Sequence, residues 1–529
     1  MRAALYWARH LKERGVRRIF GHPGTESIEL LEAAREAGLE FVLTHHEATA
    51  AFAAAMTGRL TGVPGVCVTT AGPGATNVAS GVAQAYMDRM PLLVVTGDHP
   101  HGPGQPRHQR LPPDLYSSIS RGTIRLTAAN VATELPQAFD RALQHPQGPV
   151  YMTFPSGEMI KDAAGTPEPR GASAARRVPD LGGAERMIAG ARRPMMIAGL
   201  GLTNVCGEDA FMRAVTSLGT PVADTPQSRG CIPSDHELYV GTFATHRDAA
   251  VTDLANASDL VIAVGLDSVE FLKPWQLKPP VLALAEAEAG NDPAIPATTA
   301  IDGPLPAMLE RLARVRPAGA WPRDEVAAYR TRFLGSLMPP NSDEGRGRMW
   351  PQTVVATLRE ILPDDGVVSV DVGSHKLLMV LQWPVRRPRT FLSSSGLSSM
   401  GTGVPFALAA KLAQPEHPVV AVIGDGGFLM YAGEMATLAR LGVPVVIVVM
   451  ADAALYSIKI KQVRRSYAPT GTEIVPEVGI ADVARSFGLQ AERVSSAAAL
   501  AGALRRALGA DRPTVVEALI DPAGYEHSQ

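Results

Sequence analysis

The chain has 529 residues, 46% of them hydrophobic and 19% charged, with a formal net charge of −2. That length supplies several hydrophobic cores, on the order of three domains, and a near-neutral balance without long basic or acidic runs excludes an electrostatic binder of nucleic acid or anionic membrane. The three cysteines, Cys67, Cys206 and Cys231, lie far apart without CxxC spacing, so neither a disulfide framework nor a zinc site is expected, no apolar run is long enough to span a bilayer, and the expected setting is the reducing cytoplasm.

The opening stretch MRAALYWARHLKERGVRR is basic and amphipathic, yet it contains Glu13 and leads directly into Ile19-Phe20. It reads as a first domain helix over 3–14 rather than a transit peptide. Strand 18–20, the turn Gly21-His22-Pro23-Gly24-Thr25, a helix at 26–36 and a strand at 40–43 follow, an alternation that predicts a parallel sheet. Thr44-His45-His46-Glu47 then opens the alanine-rich run EATAAFAAAMTGRLTG. Two readings of Glu47 stand side by side. In one, Thr44 caps the helix and Glu47 reaches back to the Thr44 amide in a capping box. In the other, a carboxyl held in low dielectric stays partly protonated and exchanges a proton with a bound ring. After strand 65–69, the loop Thr70-Ala71-Gly72-Pro73-Gly74 suits an anion but lacks the lysine of a P-loop. Strand PLLVVTGD leads into 99–118, which is rich in Pro, Gly, His and Arg and makes no regular element; His108, Gln109 and Arg110 are its candidate substrate contacts.

Residues 163–183 read as a Pro/Gly/Ala linker. A second α/β segment follows, with strand PMMIAGLG, helix 207–218, strand TPVAD and strand DLVIAVG; its turn Gly199-Leu200-Gly201 imitates a dinucleotide fingerprint but lacks the third glycine. A second linker is expected over 315–350. The third segment opens with helix 351–362 and strand GVVSVDVG, passes through the run Ser395 to Pro405, where Met400 taken alone reads as core packing, and reaches VVAVIGDGGFLMYAGEMATLARLGVPVVIVVMAD. This last stretch is a βαβ unit with two buried parallel strands. Asp425 and Asp452 therefore stand at carboxyl ends of strands, where open α/β sheets bind their ligands. A carboxylate beside Gly424, Gly426 and Gly427 at a strand-to-helix turn suits a metal–phosphate site: backbone N–H groups approach the phosphate oxygens and the aspartate offers oxygen to a hard cation such as Mg2+. Taken singly, Asp425 also fits an ordinary turn and Asp452 a helix N-cap. The tail AGYEHSQ reads as loose.

Together these motifs resemble those of the thiamine diphosphate (ThDP) enzymes, in their acetolactate synthase-like and 2-oxo acid decarboxylase branch, over essentially the whole chain. The family's Gly-Asp-Gly, followed after a crossover by Asn-Asn or Asn-Asp, is matched by Gly424-Asp425-Gly426 and Ala451-Asp452, with Ala451 in place of the first Asn. The resemblance implies an α/β fold of three doubly wound parallel-sheet domains: pyrimidine-binding at 1–165, central at 184–314 and diphosphate-binding at 345–529. It implies Asp425, Asp452 and the carbonyl of Ala454 as Mg2+ ligands, and Gly373, Ser374, His375, Gly424, Gly426 and Gly427 around the diphosphate. Gly24, Gly72 and Pro73 shape the aminopyrimidine pocket. Met400 is the wedge that bends the cofactor, and the carbonyl of Ser398, where the family has glycine, accepts from the 4′-amino group. Glu47 becomes the catalytic residue, bonded to N1′ of the aminopyrimidine and promoting loss of the thiazolium C2 proton.

Some members of the family bind FAD in the central domain. Here Gly265-Leu266-Asp267-Ser268-Val269-Glu270 replaces the Arg-Phe-Asp-Asp-like stretch of the flavin-binding synthases, which disfavours FAD. Because Glu47 and Asp425 fall in separate domains, the resemblance implies active sites between the subunits of a homodimer or homotetramer. The implied activity is carboligation or decarboxylation of a 2-oxo acid, with Tyr456, Lys459 and Gln462 as further candidate substrate contacts. The alternatives are a simple decarboxylase or carbonyl lyase, a flavin-dependent oxidase, and a non-catalytic scaffold that only Ala451 and Ser398 favour.

Overall fold

The computed structural model describes residues 1–99, 108–112, 114–164, 176–287, 292–335, 347–474 and 477–527. Short Val-, Ile- and Leu-rich strands buried on both faces require helices on either side of a parallel sheet, and three such six-stranded sheets form. The first contains β1 (Arg18–His22), β2 (Glu40–Leu43), β3 (Gly65–Thr69), β4 (Leu92–Asp98), β5 (Thr123–Arg125) and β6 (Pro149–Pro155), in the order β2-β1-β3-β4-β6-β5. The central sheet contains β7 (Pro194–Ala198), β8 (Val222–Asp224), β9 (Tyr239–Thr242), β10 (Leu260–Val264), β11 (Val281–Ala285) and β12 (Thr299–Asp302), in the order β12-β11-β10-β7-β8-β9. The third contains β13 (Val367–Val370), β14 (Phe391–Ser393), β15 (Val419–Gly424), β16 (Val445–Ala451), β17 (Gln490–Val494) and β18 (Thr514–Leu519), in the order β14-β13-β15-β16-β18-β17. The first and third sheets thus share one internal order, and the central sheet has that of a dinucleotide-binding fold.

The first and third units are joined by two helices that are apolar all round. Helix Glu47–Thr61 buries 11 of its 15 residues and helix Gly403–Ala413 buries 8 of its 11, and just over half of the buried ones are Ala or Gly. Helices so poor in large side chains pack closely, and the contact merges both units into one core containing Phe52, Phe406 and Phe428. Each buried phenylalanine there contributes about 1.5–3 kcal/mol.

Two expectations about irregular stretches fail. The stretch 315–350 is not all linker: helix Arg323–Gly335 forms within it, anchored by buried Val326 and Phe333. Phe333 packs on Gly241, where an added Cβ would lie 2.9 Å from the ring. Nor is the tail loose as far as residue 527, residues 528–529 lying outside the described residues. Residues Pro522–His527 form a short 3-10 helix in which Tyr525 is 1% exposed and Gly524 accepts a bond from Gln352 at 2.7 Å. One buried aromatic in each stretch outweighs polar surroundings.

The three units meet at Asp88, fully buried just after helix Ala79–Met87. One carboxylate oxygen accepts from the amides of Ser395 (3.2 Å) and Gly396 (2.6 Å) in the third unit and from Gln227 Nε2 (2.8 Å) in the central one. Asp88→Ala strands these donors in the interior at about 1–3 kcal/mol each. The expected result is a lower, broader calorimetric melting transition, with Asp88→Asn intermediate.

Candidate active site

In the third sheet the chain order reverses between β13 and β15, and ligands of such sheets sit beyond the carboxyl ends of the strands at that switch. A cavity of about 570 Å³ opens there. It is lined by Gly373, Ser374 and His375 after β13, by Gly424, Asp425, Gly426 and Gly427 after β15, by Asp452 and Ala454 after β16, and by Ser398 and Met400. All the residues assigned to metal, diphosphate and cofactor bend therefore share one cavity.

Asp425 is 5% exposed. Its Oδ2 accepts from the amides of Asp452 (3.2 Å) and Ala453 (2.6 Å), and its Oδ1 from its own neighbour Gly426 (2.8 Å). These bonds fold the turn after β16 onto the turn after β15 and bring the two aspartates together. Burial raises the Asp425 carboxyl; burial and the nearby Asp425 push Asp452 up to about 8. Among the described residues no cluster of three or more His, Cys, Asp or Glu is placed to hold a metal. Two carboxylates, one carbonyl and phosphate oxygens are nevertheless an ordinary Mg2+ environment.

The opposite wall suits a diphosphate. His375 is 4% exposed, and its Nε2 is buried without a partner. Burial pushes its imidazole down to about 4 against a bond to the Asp371 backbone, so the neutral ring carries a single N–H, which that backbone and a ligand would have to compete for. The backbone here has room only for glycine: a Cβ on Gly427 would lie 2.1 Å from Asp371 Oδ2, and one on Gly426 2.7 Å from Leu455 and 3.4 Å from Met400 Cε. Asp371 itself turns inward and accepts from the amides of Gly401 and Thr402, both at 3.0 Å. It thereby shapes the turn that carries Met400. Gly401 has φ +84°, and a Cβ there would strike the Tyr431 ring.

Glu47, Gly24, Gly72 and Pro73 do not line this cavity. Glu47 is 7% exposed at the start of its helix, and Oε2 accepts from Asn77 Nδ2 at 3.0 Å. The capping box does not form. His46 is the N-cap, its ring accepting from the Ala48 amide at 3.1 Å, while the Thr44 hydroxyl donates to the His46 carbonyl. The turn is clamped from the third unit by Glu434, which accepts from the amides of His45 and His46, each at 3.0 Å. Gly72 and Gln109 line a separate cavity of about 250 Å³ with Tyr151 and Arg125. Gly24 packs on Thr70, and Pro73 is the first residue of a short helix.

Of the other candidate contacts, Tyr456 lines the large cavity and donates to Glu526 at 3.2 Å. Lys459 pairs with Glu473 and Gln462 bonds Thr470, so neither reaches the cavity; Lys461 and Arg464 line it instead. His108 lies 6.2 Å from the His99 ring. Within the irregular stretch containing it, residues 100–107 and 113 lie outside the described residues. Glu434 and Lys376 carry no motif in the sequence, although a lysine directly before the apolar run LLMVL was a detectable signal.

The corresponding switch point of the central sheet is filled by the protein itself. The turns Gly199–Gly201 and Gly265 pack directly together, with the Gly201 amide donating to the Gly265 carbonyl at 2.8 Å. Glu270, fully buried, accepts from the amides of Leu200 (2.9 Å) and Gln227 (2.8 Å) and from the Thr225 hydroxyl (2.8 Å). An internal carboxylate thus occupies the N–H groups that a dinucleotide phosphate would need. Burial pushes Glu270 up to about 7.

Comparison with known proteins agrees with this architecture. Three family models match: the N-terminal TPP binding domain of thiamine pyrophosphate enzymes over residues 1–111, their central domain over 182–294 and their C-terminal TPP binding domain over 371–518. Acetolactate synthase of Bacillus subtilis strain 168 is 28% identical over 97% of this chain and 92% of its own. The isozyme 2 large subunit of Escherichia coli K12 is 28% identical over 97% and 95%, and the acetolactate synthase large subunit of Lactococcus lactis subsp. lactis is 27% identical over 97% and 92%. With both TPP-binding domains and the central domain in family order, the chain belongs to the thiamine pyrophosphate enzymes, which act through thiamine diphosphate.

Proposed function

We propose that this enzyme is Mg2+-dependent, decarboxylates a 2-oxo acid and joins the product to a second carbonyl compound, the reaction type that its relatives' names carry. The observation that most supports this reading is the convergence of Asp425, Asp452, His375 and Met400 on one cavity. In this reading the pyrimidine-binding, central and diphosphate-binding domains occupy 1–165, 184–314 and 345–529.

Asp425, Asp452 and the carbonyl of Ala454 would hold the metal. Gly373, Ser374, His375 and the amides of Gly424 to Gly427 would receive the diphosphate. Thiamine diphosphate, when bound, supplies the nucleophilic carbon and the electron sink that loss of CO2 requires. Glu47 would face the aminopyrimidine with one oxygen available: Asn77 occupies Oε2, and Oε1 has no partner among the described residues. Since Glu47 and the pocket residues Gly24, Gly72 and Pro73 lie outside the large cavity, a second copy of the chain completes the site, in a homodimer or homotetramer. No helix among the described residues is long and apolar enough to cross a membrane. FAD is disfavoured in the central domain, because Glu270 and the packed glycine turns occupy the N–H groups at its switch point.

CO2 release across a panel of 2-oxo acids, with ThDP and Mg2+ present, tests the activity and names the donor; silence across the panel counts against it. Glu47→Gln should retain ThDP binding by calorimetry and lose about 10²–10⁴-fold in turnover. The Asp452 carboxyl, raised to about 8, must lose its proton to ligate Mg2+. The metal-free fold therefore loses stability from this group as pH rises from 3.8 toward 8, while Mg2+ affinity rises by up to about tenfold per pH unit and levels off above. Calorimetric titrations at several pH values check the slope. The purified protein should show no flavin absorbance band, and added FAD should leave its melting temperature unchanged.

A further inference from the structure

Lys376 lies on helix Ser374–Gln382, is 8% exposed and lines the large cavity. Its ammonium donates to the carbonyl of Ser394 and, at 3.2 Å, to Oγ of Ser398. Both acceptors are neutral, and among the described residues the lysine makes no ion pair. The carboxylates of Asp88, Asp371 and Glu270 favour the charge from further off, but the ammonium's direct partners are two neutral oxygens of the loop that carries Ser398, so its hydrogen bonds act on that loop.

That group is Ser398, with φ +57°, a left-handed conformation natural to glycine and disfavoured for a residue with Cβ. Its polar atoms are otherwise fully engaged. The amide donates to Ser394 Oγ at 3.1 Å, and the hydroxyl donates to the Ser395 carbonyl at 3.1 Å and accepts from Lys376. Only the carbonyl accepts nothing among the described residues, and the residue lines the cavity. Gln84 and Asp88 hold the surrounding backbone at Ser399 (3.3 Å), Ser395 (3.2 Å) and Gly396 (2.6 Å), but neither bonds Ser398.

We propose that Lys376 is a positioning residue: it locks Ser398 in the left-handed conformation and so keeps the Ser398 carbonyl free at the cavity wall for the cofactor. A cation on the neighbouring helix thereby does for serine what a glycine achieves by having no side chain. The inference rests on the reading that this cavity takes ThDP.

The test is a double-mutant cycle on the full-length protein, read by calorimetric titration with ThDP and Mg2+ and by thermal unfolding. Absence of binding by the wild type would sink the cofactor reading itself, before any variant is compared. Given wild-type binding, K376M should weaken ThDP affinity about tenfold when introduced into wild type and no more than about twofold when introduced into S398G. An equal loss in both backgrounds, or no loss in wild type, overturns the proposal. So does a K376M variant that fails to fold in both backgrounds, since the lysine would then support the domain rather than this one residue. If K376M fails to fold only in wild type, K376Q, which keeps one donor, replaces it in both arms, with the same outcomes counting for and against.

Discussion

The arrangement depends on one buried carboxylate at the meeting point of three sheets. Asp88 leaves the first unit, catches two successive amides of the loop that leads to Met400, and bonds the central unit through Gln227. A fully buried carboxylate is tolerable only when its hydrogen-bonding capacity is used, and here Gln84 of its own unit donates to one oxygen while the other two domains supply the donors to the other. Interdomain docking and placement of the loop that leads to Met400 are thus one event. Gly396 makes this possible, because a Cβ there would lie 2.6 Å from the Met87 carbonyl.

Burial governs the charges of the cavity as well. It raises Asp425 and Asp452 toward their neutral forms and lowers His375 and Lys376 toward theirs. Lys376 is pushed down to about 8. Opposite charge nearby would counter that shift, since a cation favours ionised carboxylates and an anion favours charged donors. The same low dielectric that makes these buried charges costly makes each contact to a bound charge strong.

Three parallel sheets of similar build meet different ends. The first and third repeat one strand order and present glycine turns at the same switch point, after β1 and β3 and after β13 and β15. The central sheet has the strand order of a dinucleotide-binding fold, yet its crevice is closed by Glu270 and by glycine turns packed on each other. Architecture and function therefore separate within a single chain: topology provides the crevice, and individual side chains decide whether it remains open.

Local pattern was enough to determine the α/β alternation, the strand-end positions of Asp425 and Asp452 and the three-unit order, because period, apolar runs and glycine turns act over a few residues. Contacts between distant segments decided the rest. The capping box at Thr44 and Glu47 was locally sound, but Asn77 claimed the Glu47 carboxylate and Glu434 the backbone before it. The helix Arg323–Gly335 and the tail were set by Phe333 and Tyr525 finding remote apolar surfaces. The roles of Asp88, Glu270 and Lys376 were hidden for the same reason: a charged residue takes its meaning from the partners that burial brings to it, and those partners lie tens to hundreds of positions away along the chain.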